Sequence, residues 1–293
     1  MPLNKQDKTI KKEQAWIDSI FPPKTFGEIP VGSVLLLKES MIKDGISDIP
    51  LWMNTAKITE GLDDEWFINQ EFTLNKISIK KPKGSSFKRV IWELKASDGH
   101  TFEFSPGDSY EEVNNTYSVL GYNLDMVLKG DIDLFKQLVS GKSVFTSRQV
   151  GWTYTDKRGA VPQYYPIKLE NCYVGRGNQP LRITAISEDG ERIVVNANLT
   201  KYDIAPDMYE LYSLANFILL DNPRGAYPNI SDETWSMIQN RKIRLGMTLE
   251  ECVLSWGEPT RKLRNSGLDN TITFVYGTTL VQFDNGVISV ISE

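Results

Sequence analysis

The sequence predicts an α+β protein. Two small antiparallel β-rich modules, SH3-like in character and readable as a repeat, precede a domain of two helices and an antiparallel three-stranded sheet. Three observations carry this expectation. Two mid-chain segments share one order: strand, Gly/basic loop, strand, Asp-Gly turn, strand. A helix late in the chain has both its start and its stop written into the sequence. After it, apolar and polar residues alternate up to an Asn-Gly turn and beyond.

Residues 1–26 form an N-terminal arm with a helix. Gln14 to Ile20 carries Trp16, Ile17 and Ile20 and ends before Phe21-Pro22-Pro23, because proline cannot continue a helix. The first β-module spans 27–120. Its strands fall between Phe72 and Phe104, with Asp98-Gly99 as a turn. The second spans 121–220, with flanking helices. Its matching segment runs from Tyr165 to Asn196, and Asp189-Gly190 takes the corresponding place. Upstream, Gly32-Ser33-Val34-Leu35 resembles Gly141-Lys142-Ser143-Val144-Phe145. Two copies of a strongly bent meander or SH3-like barrel would explain the match. So would the general likeness of any two hairpins at this level.

Helices are expected between the strands. Asp131 to Val139 sets Ile132, Phe135, Leu138 and Val139 at helical spacing before Gly141. Met208 to Leu220 places Leu211, Leu214, Ala215 and Ile218 on one stripe, which predicts a helix packed under the second module. Asp221 to Pro228 is the best linker in the chain.

The C-terminal domain spans 229–293. Ser231 can cap a helix holding Trp235 and Ile238, with Asp232 and Glu233 in its first turn. Thr248 and Glu251 form a capping box, and Glu250 and Glu251 suit the positive end of the helix dipole. Leu249, Cys252, Val253 and Trp256 make one apolar stripe. Gly257 stops the helix in a left-handed cap and Pro259 cannot continue it. Strands follow around Ile272, Phe274 and Tyr276, then Thr279 to Phe283, and finally Val287 to Ile291 after Asp284-Asn285-Gly286.

The spacing of Gly246-Met247-Thr248, Glu251, Gly257, Pro259, Tyr276, Phe283 and Gly286 resembles the SmpA/OmlA (BamE-like) domain of bacterial envelope proteins. The resemblance covers about Asn229 to Glu293. It implies a two-helix, three-stranded module that binds other proteins or stabilises assemblies. Typical members begin with a lipoprotein signal, and this chain does not.

At 293 residues the chain can bury a sizeable core in two or three domains. Its net charge of −5 argues against broad nucleic-acid binding, which needs clustered cations. Lys5, Lys8, Lys11 and Lys12 are interrupted by Asp7 and Glu13 and suit a solvated face. No apolar run is long enough to span a bilayer. The N-terminus lacks a hydrophobic signal region, which favours the cytoplasm; the resemblance favours the periplasm or outer membrane if a signal has been removed.

Candidate chemistry is sparse. His100, the single histidine, stands near Asp98 and Glu103 and could act as a base, yet no nucleophile has a recognisable setting. Gly141-Lys142-Ser143 resembles the end of a phosphate loop, but Lys136 stands where that loop needs glycine. Gly175-Arg176-Gly177 suits a β-turn. Asp63-Asp64-Glu65 lacks the alternation of a calcium loop. Cys172 and Cys252 with one histidine make no zinc site; Cys252 suits a buried thiol, and a disulfide between the two needs close approach. Trp52, Trp66, Trp92, Trp152 and Trp256 are expected mainly in cores. No catalytic, cofactor or metal residue is assigned.

The expectation is therefore a non-enzymatic protein-binding or scaffold protein of the bacterial envelope. An inhibitor or immunity-type binder of the cytoplasm and a hydrolase with an unfamiliar site are the alternatives. Helix capping leaves Met247, Trp256, Tyr276 and Phe283 unexplained, and their exposed members are the expected protein-contact residues.

Overall fold

A computed structural model describes residues 5–22, 24–37, 66, 70–81, 86, 88–104, 117–118, 126–148, 151–175, 181–199, 213–264 and 270–292. Trp52, Asp63-Asp64-Glu65, Arg176-Gly177, Met208 and Leu211 lie outside these residues.

The α+β expectation is corrected. Among the described residues the protein is mostly β, with three larger antiparallel sheets, one two-stranded pair and four α-helices. Helix α1 (Lys5–Ile20) comes first, followed by the short strand β1 (Lys24–Thr25). The first module contains β2 (Val34–Leu37), β3 (Glu71–Lys80), β4 (Arg89–Ala96), β5 (Thr101–Phe104) and β7 (Met126–Leu128). They form one sheet of order β5-β4-β3-β2-β7, while β6 (Tyr117–Ser118) pairs with β1. Its apolar face buries Leu35, Phe72, Leu74, Trp92, Leu94 and Phe102.

Helix α2 (Lys129–Leu138) leads into the second module: β8 (Ser143–Thr146), β9 (Thr153–Tyr154), β10 (Pro166–Val174), β11 (Leu181–Ser187), β12 (Arg192–Ala197) and β13 (Ile218–Leu219). Their order is β13-β8-β10-β11-β12-β9. Among the described residues neither sheet closes on itself, and a curled half-barrel sheet stands in place of the expected SH3-like barrels. A bulge in the long strand of each sheet, at Asn75 and at Glu170, supplies local bend and twist.

The two meanders are built to one register. Phe72 faces Ala96, Leu74 faces Leu94 and Ile77 faces Trp92. Ile167 faces Ser187, Leu169 faces Ala185 and Cys172 faces Ile183, with the bulge at the same step. Gly32 and Gly141, both at positive φ, donate to Leu74 O and Leu169 O, each at 2.8 Å. The Asp-Gly turns match as well: Gly99 donates to Ala96 O and Gly190 to Ser187 O. Even the return strands correspond, since β7 and β13 flank β2 and β8.

Helices α1 and α2 both pack into the second module's core, with Ile17, Phe21, Ile132 and Phe135 among Ile167, Ile183, Ile193 and Val195. The buried Glu13 carboxylate accepts the Leu220 N–H at 2.7 Å, and Lys12 pairs with Asp221 at 2.5 Å. Burial pushes the Glu13 carboxyl above its ordinary range. The helix predicted over Met208–Leu220 is not formed in its described part. Ser213 caps a 3-10 turn at Leu214–Asn216, and β13 follows. The apolar run is buried from both sides, by α1 and by the sheet, so its period was ambiguous. The linker is also structured: Asn222 caps a 3-10 turn over Pro223–Ala226.

The C-terminal domain has helices α3 (Asp232–Gln239) and α4 (Leu249–Trp256) on a four-stranded sheet. Its strands are β14 (Arg261–Arg264), β15 (Thr271–Tyr276), β16 (Thr279–Asp284) and β17 (Val287–Ser292), in sequential order. The expected three strands become four because β14, a charged edge strand, lacks the alternation that marks the others. The Thr248–Glu251 capping box is present, and Asn285 and Gly286 take positive φ in the final turn.

Candidate functional site

The expected contact residues do not form an outer surface. Met247 and Phe283 are 2% and 1% exposed, within a core that includes Ile238, Cys252, Phe274 and Val281. Trp256 and Tyr276 are partly buried and meet edge to face at 5.3 Å. Trp256 Nε1 donates to Arg241 O at 2.7 Å, and the Tyr276 hydroxyl donates to Gly257 O at 2.8 Å. Burial and the neighbouring Cys252 push the Tyr276 phenol far above its ordinary value.

These residues border a junction between the second module and the C-terminal domain. Gln163, 1% exposed, projects from the second module. Its Nε2 donates to Ile238 O at 2.7 Å, Leu254 O at 2.9 Å and Ser255 O at 3.1 Å. Those carbonyls lie at the C-terminal ends of α3 and α4, where helices run out of their own donors; Ile238 O also accepts from the Arg241 N–H at 3.0 Å and Leu254 O from the Tyr164 hydroxyl at 3.4 Å. One side chain thus serves both helix ends. The next residue, Tyr164, holds φ 58°, uncommon outside glycine, and stacks on Trp235 at 5.7 Å. The Gln163 N–H also donates to Gln239 O at 3.0 Å.

Arg148 completes the junction. Its guanidinium donates to Val253 O at 3.3 Å, and its own carbonyl accepts from Arg241. A cation at a helix C-terminus complements the dipole. Gly257 makes room for it: a Cβ there would come within 2.6 Å of the guanidinium. Gly257 also has φ 92° and ψ −172°, so the expected left-handed cap is an extended positive-φ turn that glycine alone adopts easily. The stop signal is therefore also a docking seat. The buried face of α4 also differs from the expected stripe. Leu254 and Ser255 are buried along with Cys252, while Leu249 and Val253 are only partly covered.

An apolar surface lies instead on the far side of the C-terminal sheet. Leu263, Thr273, Gln282 and Val290 stand opposite one another across the four strands, and Leu280 stands opposite Val275, which is itself buried. Leu263 and Val290 are each 46% exposed and Leu280 is 42% exposed; Val287, 39% exposed, shares this face. The edge strand β14 brings Arg261, Lys262 and Arg264 to its rim, and among the described residues only Lys262 of these has an acidic partner, Glu258 at 2.9 Å. The available signal was the doublets Val287-Ile288 and Val290-Ile291, which make β17 apolar on both faces.

The remaining candidates fall to structural roles. His100 Nδ1 lies 2.9 Å from Asp98, and its ring meets Trp66 edge-on at 5.6 Å, at an exposed turn. Lys142 lies over the Trp16 ring at 4.9 Å rather than in a phosphate loop. Cys172 and Cys252 are free thiols buried in different cores. Burial pushes the Cys252 thiol up to about 11. Among the described residues no group of three His, Cys, Asp or Glu could hold a metal ion, and no helix is long and apolar enough to cross a membrane. No protein-family model, no curated protein and no solved structure matches this chain.

Proposed function

We propose that this chain is a non-enzymatic protein-binding or scaffold protein, and that the outer face of its C-terminal sheet is the contact surface. The carrying observation is the set of exposed apolar side chains Leu263, Leu280, Val287 and Val290 on one face of the sheet, with the cationic strand β14 at its edge. Exposed apolar side chains gathered on one face and rimmed by polar residues mark sites of association. The partner this surface fits is a protein with an apolar face and acidic residues at its rim. The junction through Gln163 and Arg148 supports the scaffold reading, because it fixes this face relative to the second module. A place in the bacterial envelope rests on the resemblance over 229–293.

The test is mild crosslinking in the native host, followed by recovery of the chain and of a Leu280→Glu/Val290→Glu variant. A partner recovered reproducibly with the unaltered chain and lost with the variant is expected. Recovery of the chain alone, or equal capture by both, overturns the proposal. Fractionation of the same cells tests the envelope assignment.

A further inference from the structure

The outer face of the second module's sheet carries a pocket of about 390 Å³, lined by Thr155, Glu170, Tyr173, Arg182, Thr184 and Arg192 among others. Glu170, the bulge residue of β10, is its fixed point. It accepts from the Thr184 hydroxyl at 3.2 Å, and its carboxylate meets the Arg192 guanidinium at 3.2 and 3.3 Å. Arg182 stands directly opposite Tyr173 across the β10–β11 ladder, is half-buried, and has no acidic partner among the described residues.

The first module provides an internal control, because it builds the same sheet without this set. By register, Glu170, Tyr173, Arg182, Thr184 and Arg192 correspond to Asn75, Ser78, Ile91, Glu93 and Thr101. The bulge is locked in both: Asn75 donates to Glu93 at 2.5 Å where Glu170 accepts from Thr184. The arginines have no such counterpart. The meander therefore forms without a cation at either place, and folding does not explain them.

We infer that this pocket binds a small carboxylate with an apolar body. Two guanidiniums against one carboxylate leave the site a net cation, and the Lys136 ammonium lies 5.9 Å from the Tyr173 ring centroid. Guanidinium forks match carboxylates bidentately. The carboxylate engages Arg182 and the outward side of Arg192, while the body lies against Tyr173 and Val174. The volume lies within the range of pockets that hold small molecules, roughly 300–1,000 Å³. This inference is independent of the C-terminal contact surface.

Amide chemical shifts of the ¹⁵N-labelled full chain, titrated with benzoate, hexanoate and the neutral isostere benzamide, test it. Saturable shifts are expected for benzoate and hexanoate at Tyr173, Arg182 and Arg192, and none for benzamide. Arg182→Ile, the residue the first module carries there, should weaken binding about tenfold or more. Arg182→Lys keeps the charge without the fork and should fall between, which serves as the control if the isoleucine variant folds poorly. No saturable shift with either carboxylate, shifts of equal size with benzamide, or undiminished affinity in both variants overturns the inference.

Discussion

In the first β-module the Asp98 carboxylate, at the Asp-Gly turn, accepts a hydrogen bond from the Trp66 indole at 2.8 Å. At the matching turn of the second module, Asp189 accepts from the Tyr165 hydroxyl at 2.9 Å. Different donors thus close the same turn. The shared features are those that hold the sheet: register, bulge, positive-φ glycine and turn. The differences lie in what surrounds it. The second module receives α1 and α2 on its apolar face and Arg182 and Arg192 on its outer face. It also extends Gln163-Tyr164 into the C-terminal domain. A meander that already satisfies its own backbone leaves its loops and outer face free for such additions.

The largest expected effects test whether the two modules fold as separate units. Trp92 and Ile183 occupy the same register position and are both fully buried. Trp92→Ala should cost about 3–5 kcal/mol and Ile183→Ala about 2–5 kcal/mol. Urea denaturation followed by hydrogen exchange on individual amides separates the outcomes. Loss of protection confined to the first module for Trp92→Ala, and spreading to the C-terminal domain for Ile183→Ala, is the expected pattern. If Trp92→Ala exposes both modules together, the comparison breaks.

Next is the junction that only the second module has. Gln163→Ala leaves the ends of α3 and α4 without their shared donor in a buried setting, and should cost about 2–3 kcal/mol. Gly257→Ala imposes a Cβ on the Arg148 guanidinium and a strained positive φ, costing about 1–3 kcal/mol. Combining Gly257→Ala with Arg148→Ala should recover part of that loss, since it removes the clash but not the strain. A double-mutant cycle by chemical denaturation measures the coupling. Strict additivity would mean that Arg148 does not dock against Gly257.

How much of this was legible follows from distance along the chain. The Thr248–Glu251 box, the Ser231 cap and the Asn285-Gly286 turn are local, and each was readable in full. The matching meanders were readable because turns and alternation are local too. The junction was not. Gln163 and Arg148 reach partners 75 to 105 residues away, and a lone polar side chain leaves no period in the sequence. The outer apolar face was half-readable: Val287-Ile288 and Val290-Ile291 announced a two-faced strand, but β14 hid behind its charges. Within its described part the helix expected over Met208–Leu220 is absent for the opposite reason, an apolar run too continuous to reveal its period.

The smallest effect concerns α2, which packs on β10 of the second module and also touches β2 of the first. Asp131, in its first turn, is largely shielded from water, and burial pushes its carboxyl up to about 6 despite the nearby Lys24. The folded protein therefore holds this proton more tightly than the unfolded chain. Its contribution to stability is highest below about pH 4, falls as pH rises through about 6, and is flat above. A shift of about two units corresponds to roughly 3 kcal/mol at full burial. The side chain keeps some solvent contact, so about 1 kcal/mol is the sounder expectation. Asp131→Asn should thus raise stability by about 1 kcal/mol at pH 7 and change it little at pH 4. Denaturation midpoints of both proteins between pH 4 and pH 7 read this directly. A gain confined to the second module's amides would mean that α2 belongs to that module alone. A gain shared with β2 and β7 would mean that the helix joins the two modules, and their likeness would then stop at the sheets.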